Sequence, residues 1–499
     1  VNQPQTDLDD EFLPPSTSPD PKPPRSRFRR LRKVTLWVVG ICAAIVLVLS
    51  LGRWQVGRVG QRQLDATTAR LDTNEPGWKL EAILDERKKQ EPPAAENSAA
   101  IVLDIADRIP EEWQKWYQSE EAKSFWVTNC DNHLPPAAAI ATARKQAPGT
   151  LLARTDAVRL RDKRGGIYPL TIPDDPITTL LPHLDKTRRV GNLLQYDAHL
   201  AVLDKNPTRG INAARAALGV ARSIGDEPFF VSQLVRIACA NVAAQTTAQV
   251  LAWSEPTEGL AELQADLLAE AEVPWFRIGM RGERAALDKV FRGLEDGSIP
   301  PEHWFVYANI KDPGPEAYAA FRAYRPLIPG DHAKTLEITT AYLEAANLPH
   351  HEQIAAMKAV SIPKGPPDEL RYVLTRLLVP ACQKIAEAGL RCRAMLLTAA
   401  TCVACERFRL KNKRWPRELA ELTPTYLPNI PINPFDGQPI SYRVLADRIA
   451  VYCYWANSPL RQDEQPPEFR DTKVPGIGIG FRVWSPDQRA LPPLEKNAP

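Results

Sequence analysis

Leu193–Asp204 (LLQYDAHLAVLD), Thr208–Pro228 (TRGINAARAALGVARSIGDEP) and Phe229–Trp253 (FFVSQLVRIACANVAAQTTAQVLAW) follow one another with only short breaks. Apolar residues recur at three- and four-residue intervals, the period of a helix with one buried face. Ala213, Ala214, Ala216, Ala217, Ala238, Ala240, Ala243 and Ala244 recur on these faces and let helices approach closely. Lys205-Asn206-Pro207 and Gly225-Asp226-Glu227-Pro228 are breakers. The stretch therefore predicts three consecutive packed helices.

The same periodicity runs outward from about 100 to 365. It predicts helices over 111–126, 136–147, 149–160, 176–204, 207–224, 228–253, 257–272, 278–293, 314–325, 331–346 and 350–359. A helix signal also starts near Trp78, and Asn97 or Ser98 is placed to cap the helix that follows. Asp174-Asp175 before Pro176 has the form of a helix cap. The chain has 499 residues, 44% hydrophobic and 25% charged, enough for a large core. Its 47 prolines and 25 glycines suit helices separated by proline-bearing turns. A net charge of +3, from 63 basic and 60 acidic residues, gives no electrostatic case for nucleic acid.

Val34–Gly52 (VTLWVVGICAAIVLVLSLG) is nineteen residues without a charge. As a helix it is about 28 Å long, close to the thickness of a bilayer's hydrocarbon core. Arg25, Arg27, Arg29, Arg30, Arg32 and Lys33 precede it, and Arg53, Arg58 and Arg62 follow. By the positive-inside rule the N-terminus is cytoplasmic and the bulk of the chain extracytoplasmic. Trp37 and Trp54 sit at headgroup level. A cleaved signal peptide and a buried core helix are the competing readings. The apolar run is long for the first, and its Arg- and Pro-rich flanks argue against the second.

The last third changes character. A long amphipathic helix is expected from about Pro380 to Lys411. Ile440–Val444 and Ile449–Tyr454 alternate as strands joined by a turn at Ala446-Asp447-Arg448, and Ile477–Trp484 reads as a third. Leu396, Ala400, Val403 and Phe408 share the helix face that would meet this sheet. The expected fold is mainly α: an irregular helical bundle or hairpin stack after one transmembrane helix, plus a small C-terminal α+β module with the long helix on a three-stranded antiparallel sheet. The expected divisions are a disordered cytoplasmic tail at 1–33, a transmembrane helix at 34–54, a helical extracytoplasmic domain at 55–365 and the C-terminal module at 366–499.

The residues that could carry chemistry are few. Gln233 and Arg236 lie three apart on one helix face, and Arg281-Gly282-Glu283-Arg284 sets a carboxylate between guanidiniums. Together, Gln233, Arg236, Arg281, Glu283 and Arg284 form a candidate polar structural or binding cluster, with an expected Arg236–Glu283 pair. Cys402-x-x-Cys405 lies inside a helical pattern with no second such pair, so its thiols read as small buried hydrophobes. His350-His351-Glu352 lacks the second histidine of a zinc-protease helix, and His183 and His199 read as isolated helical residues. No nucleophile elbow, phosphate-binding loop or dinucleotide fingerprint appears. No catalytic, cofactor-binding or metal-ligating residue is therefore assigned.

Three resemblances accompany this reading. The helices at 192–253 resemble hairpins of the tetratricopeptide type, without the regular period of a countable array. Arg409-Leu410-Lys411-Asn412, Trp415-Pro416, Leu419, Leu422, Tyr426-Leu427-Pro428, Pro431, Asn433-Pro434-Phe435-Asp436-Gly437 and Tyr442 resemble, in order, the globular part of type II secretion major pseudopilins. That resemblance implies a helix stopped at Trp415, with the indole buried beneath its end, and a tight turn at Asp436-Gly437. It also points to a calcium loop, which here would involve Asn457, Asp463, Glu464, Glu468 and Asp471; the Gly-Asp spacing of such loops is absent, and surface acids are the plainer reading. Glu75-Pro76-Gly77-Trp78, Glu96-Asn97-Ser98-Ala99, Glu227 to Arg236, Arg281 to Ala285 and Trp415-Pro416 resemble single-pass membrane proteins of unknown function found in planctomycetes. The resemblance implies location and architecture. The expected role is a membrane-anchored, non-catalytic scaffold or interaction protein of the bacterial cell envelope. It would use the bilayer through 34–54, and other envelope proteins, as partners. An envelope enzyme with a non-motif pocket and an accessory factor of a secretion or pilus-like machine are the alternatives.

Overall fold

The computed structural model describes residues 25–126, 132–379, 382–454 and 478–494. The chain divides into two compact units, 1–58 and 59–499. Helix α1 is Arg25–Asn74. In the first unit, all of the residues from Val34 to Gly52 are exposed, Trp37 to 73%. The helix window beginning in this stretch has a mean hydropathy of 2.7 and no buried residue. Among the described residues, the other stretch apolar and long enough to cross a membrane lies within Val373–Asn412, and its most apolar part is 83% buried in the core.

The second unit is built on α2 (His183–Leu203), α3 (Pro207–Arg222) and α4 (Phe230–Trp253), which pack against one another as the opening stretch predicts. Asn206 accepts a hydrogen bond from the Arg209 amide and, with Pro207 at the first helical position, starts α3. The interior is dominated by alanine, so the helices sit close; at Gly219 a Cβ would lie 2.0 Å from the Leu160 carbonyl oxygen. Next come α5 (Leu260–Ala271), α6 (Trp275–Asp296), α7 (Ile328–Ala345) and α8 (His350–Ala359). The long helix α9 (Cys382–Asn412) packs on α4 and α5 and also against the sheet.

Strands β1 (Ser441–Val444), β2 (Arg448–Cys453) and β3 (Ile479–Trp484) form an antiparallel sheet in the order β1-β2-β3. Tyr442 pairs with Val451, and Val451 with Phe481. Alternation puts Ile449, Val451, Cys453, Ile479, Phe481 and Val483 in one core with Leu396, Ala400, Val403 and Phe408 of α9. Ala450, Tyr452 and Tyr454 form a separate cluster, as the period of two requires. The protein is thus mainly α, with a small α+β module near its C-terminus.

Four expectations need correction. The expected 111–126 helix is two short ones, Glu111–Tyr117 and Glu120–Lys123, because Ser119 caps the second by accepting from the Ala122 amide. Residues 136–160 do not form two helices. Ala137–Ala157 is one helix with Pro148 inside, kept continuous by burial of Ala139 and Ala143 before the proline and of Thr150, Ala153 and Ala157 after it. The expected 176–204 helix starts only at His183; before it, Pro176–Thr178 is a single 3-10 turn, capped as expected by Asp175. Trp415 is half-buried, not enclosed. Lys413 takes a left-handed conformation (φ 56°) directly after the last residue of α9, as a helix-ending residue does. The Arg409 guanidinium covers the indole at 5.3 Å, while the buried residue is Pro416. The expected turn forms: Gly437 has φ +74°, and the Asp436 carboxylate accepts from the Gln438 amide.

Candidate functional site

The turn at Gly225–Phe229, between α3 and α4, gathers more buried polar contacts than its local sequence suggests. The Gly225 carbonyl accepts from Gln233 Nε2 at 3.2 Å and Arg236 Nη1 at 2.8 Å. Gln233 Nε2 also reaches the Glu227 carbonyl at 2.9 Å. The Glu227 side chain has no solvent exposure. Both its oxygens lie 3.0 Å from His183 Nε2, Ser232 Oγ donates to Oε1, and Arg87 Nη2 is 3.5 Å away. His183 stacks on Tyr168 at 4.3 Å, whose hydroxyl bonds Thr187 and Ser223. Arg87 also donates to the Tyr168 carbonyl.

From the other side α6 closes on the same turn. A Cβ at Gly282 would lie 1.8 Å from the Pro228 carbonyl oxygen, so only glycine permits this approach. Glu283 Oε1 accepts from the Phe230 amide at 2.8 Å, placing a carboxylate at the N-terminus of α4. Burial pushes the Glu283 carboxyl up to about 6, against the opposing pull of that hydrogen bond.

The five predicted polar residues therefore part into two sets. Gln233, Arg236 and Glu283 converge on the 225–230 turn. Arg281 and Arg284, on another face of α6, turn to Glu75. Arg284 Nη2 donates to it at 2.6 Å with its guanidinium 5.6 Å over Trp78, and Arg281 lies 3.5 Å away. The expected Arg236–Glu283 pair does not form: Arg236 binds Glu270 in a bidentate contact at 2.7 and 3.0 Å. The fork geometry of a guanidinium is met in full by a facing carboxylate on α5.

Residues that sequence reasoning passed over are Arg87, Tyr168, Glu227, His183 and Ser232. His183 is not isolated, and neither is His199, which lies buried among Phe125, Trp126 and Trp253. No local signal marks the set, because its members come from positions far apart in the chain. A glutamate before a proline reads only as a turn.

This carboxylate, imidazole and hydroxyl do not form a catalytic relay. Ser232 donates to Glu227 and not to His183, so the serine–imidazole–carboxylate order of a nucleophilic relay is not formed. His183, Glu227 and Ser232 are also all buried. Two further buried carboxylates are similarly engaged: Asp331 accepts from the Leu374 and Thr375 amides, and Glu406 binds Arg409 and Arg489. Cys402 and Cys405 are packed in the core, as their reading as small hydrophobes expects, and burial pushes the Cys405 thiol up. Among the described residues, no group of three or more potential ligands could hold a metal ion. The acidic loop at 457–475 lies outside the described residues.

Two solvent-open pockets flank the N-terminus of α6. One, about 720 Å³, is bordered by Ile83, Glu86, Asp226, Pro228, Arg277 and Arg281. The other, about 520 Å³, lies between α6, α8 and α9, with Trp275, Phe276, Ala386 and Leu390 among its walls and His350, Arg277 and Arg393 among its polar groups.

Compared with known proteins, the chain matches no family profile, no curated protein and no solved structure.

Proposed function

We propose that the chain is a single-pass, membrane-anchored, non-catalytic scaffold or interaction protein of the bacterial cell envelope. Its N-terminus would be cytoplasmic and its helical unit on the outer side of the inner membrane. The observation that carries the reading is the exposure of the whole apolar Val34–Gly52 stretch, whereas the second unit buries most of its apolar residues and exposes only scattered ones such as Leu152 and Leu180. A helix hydrophobic all round is stable in lipid and costly in water. The Arg25–Lys33 cluster supports the orientation. The non-catalytic part rests on the buried carboxylates, which are occupied in holding helices together. The pseudopilin-like reading of the C-terminal module rests on residue order and on the arrangement of one long helix against three strands.

The test is carbonate washing of membranes followed by chemical crosslinking in place. The full chain is expected in the pellet, with discrete crosslinked species containing other envelope proteins. Release of a soluble form lacking residues 1–52 would overturn the anchor. A chain that crosslinks to no other protein would overturn the scaffold role.

A further inference from the structure

We propose that the pocket between α6, α8 and α9 binds a short apolar carboxylate, with its acid group on Arg393 and Arg277 and its apolar part against Trp275 and Phe276. The inference goes beyond the scaffold reading and does not depend on it.

The apolar wall is preformed. Trp275, Phe276, Ala386 and Leu390 are all held by the core, so a ligand meets surface that is already ordered. Gly389 keeps the space open. A Cβ there would stand in ordinary contact, 3.8 Å from Trp275 Cε3, and any larger side chain would extend into the pocket.

The polar side favours an anion. Charged residues at the pocket are Arg277, Arg393 and Glu272, two cations against one carboxylate. His350 adds no charge near neutral pH: burial, together with the nearby Arg393, lowers it to about 4. Among the described residues neither Arg277 nor His350 has a hydrogen-bond or ion-pair partner. Arg393 has only 11% of its side chain exposed, and its partner is Glu272 at 2.6 Å, which is itself 71% exposed. A rim carboxylate this exposed holds its partner weakly, since water competes for both groups. An incoming carboxylate with an apolar tail offers Arg393 the same contact from a drier position. Glu272 thus occupies the place the ligand's acid group would take.

Two sources carry this chemistry: a free carboxylic acid, and the C-terminal carboxylate of a polypeptide ending in an apolar residue. Saturation-transfer NMR on the full chain in lipid nanodiscs separates them. The probes are 3-phenylpropionate, its uncharged amide, and a tripeptide ending in phenylalanine with a free or an amidated C-terminus. The acid is expected to bind about tenfold more tightly than its amide. Tighter binding of the free-C-terminus tripeptide assigns the site to polypeptide ends, and weaker binding assigns it to free acids.

Arg393→Gln is expected to weaken the acid about tenfold, and Gly389→Leu to abolish its binding. Glu272→Gln removes the competitor from an exposed position without disturbing the core, and is expected to strengthen binding several-fold. Equal binding of acid and amide, or binding that Glu272→Gln leaves unchanged or weakens, overturns the proposal. So does binding that survives Gly389→Leu in a folded protein. Absence of saturation by either acid probe at millimolar concentration does the same.

Discussion

Replacing Gly282 by alanine sets helix propensity against packing. In a helix interior alanine is favoured over glycine by about 1 kcal/mol. In α6 the new methyl would lie 1.8 Å from the Pro228 carbonyl oxygen and 2.4 Å from Pro228 Cβ. An ordinary carbon–oxygen contact is about 3.3 Å, so backbone must retreat by about 1.5 Å. The turn resists, because Gln233 and Arg236 hold the Gly225 carbonyl and His183 holds the Glu227 side chain. Overpacking of this kind costs about 1–3 kcal/mol. Retreat also separates the Phe230 amide from Glu283, a helix cap contributing about 1 kcal/mol. Net of propensity, Gly282→Ala should destabilise the protein by about 2 kcal/mol. Urea unfolding of the detergent-solubilised chain, followed by tryptophan fluorescence, measures this as a lower midpoint at unchanged slope. An unchanged or higher midpoint would refute the argument, because propensity alone predicts stabilisation.

Further outcomes follow from burial and charge. Trp415→Ala should cost about 2 kcal/mol in the same assay, below the range for a fully enclosed indole, since the ring is half-buried and covered on one side by Arg409; a loss beyond about 4 kcal/mol would mean that the indole is a core residue. His199 sits among aromatic rings, and burial lowers it to about 4. Its folded-state value is below the ordinary 6.5, so the neutral form stabilises the fold. That contribution is fully present above 6.5 and is lost as pH falls towards 4. It amounts to about 3 kcal/mol. His199→Phe should flatten the pH dependence of stability between these limits, and an unchanged profile would show that the imidazole is not held neutral.

Much of the helical layout was legible because helix and strand periods are local. The alanine-rich faces of α3 and α4, the breaks at Asn206-Pro207 and Gly225-Asp226, and the alternation in β2 and β3 each depend on neighbours within a turn or a pair of residues. The Asn97 cap was readable for the same reason: its side chain accepts from the Ala99 amide two residues on. The Asp436-Gly437 turn was readable too. Pro148 misled because the rule that proline breaks helices does not know that Ala139 and Ala143 before it, and Thr150, Ala153 and Ala157 after it, will be held by burial against the rest of the fold.

Ion-pair partners were not legible. Arg236 had several acids within plausible reach of a guess, and only the packing of α5 on α3 and α9 brought Glu270, and not Glu283, to its guanidinium. Glu227 looked like a turn residue until folding brought Arg87, His183 and Ser232 around it. The candidate ligand pocket is of the same kind, since Arg277, His350 and Arg393 belong to three helices. What the amino-acid order determined by itself was the apolar Val34–Gly52 helix, the positions of the major helices and strands, and the glycine in Arg281-Gly282-Glu283-Arg284, though not the reason for it. Only the tertiary structure decided which charges pair, how deeply Trp415 lies and where a cavity remains. Periodicity is a property of consecutive residues, whereas a buried charge takes whichever partner the packing of distant segments brings within a few ångströms.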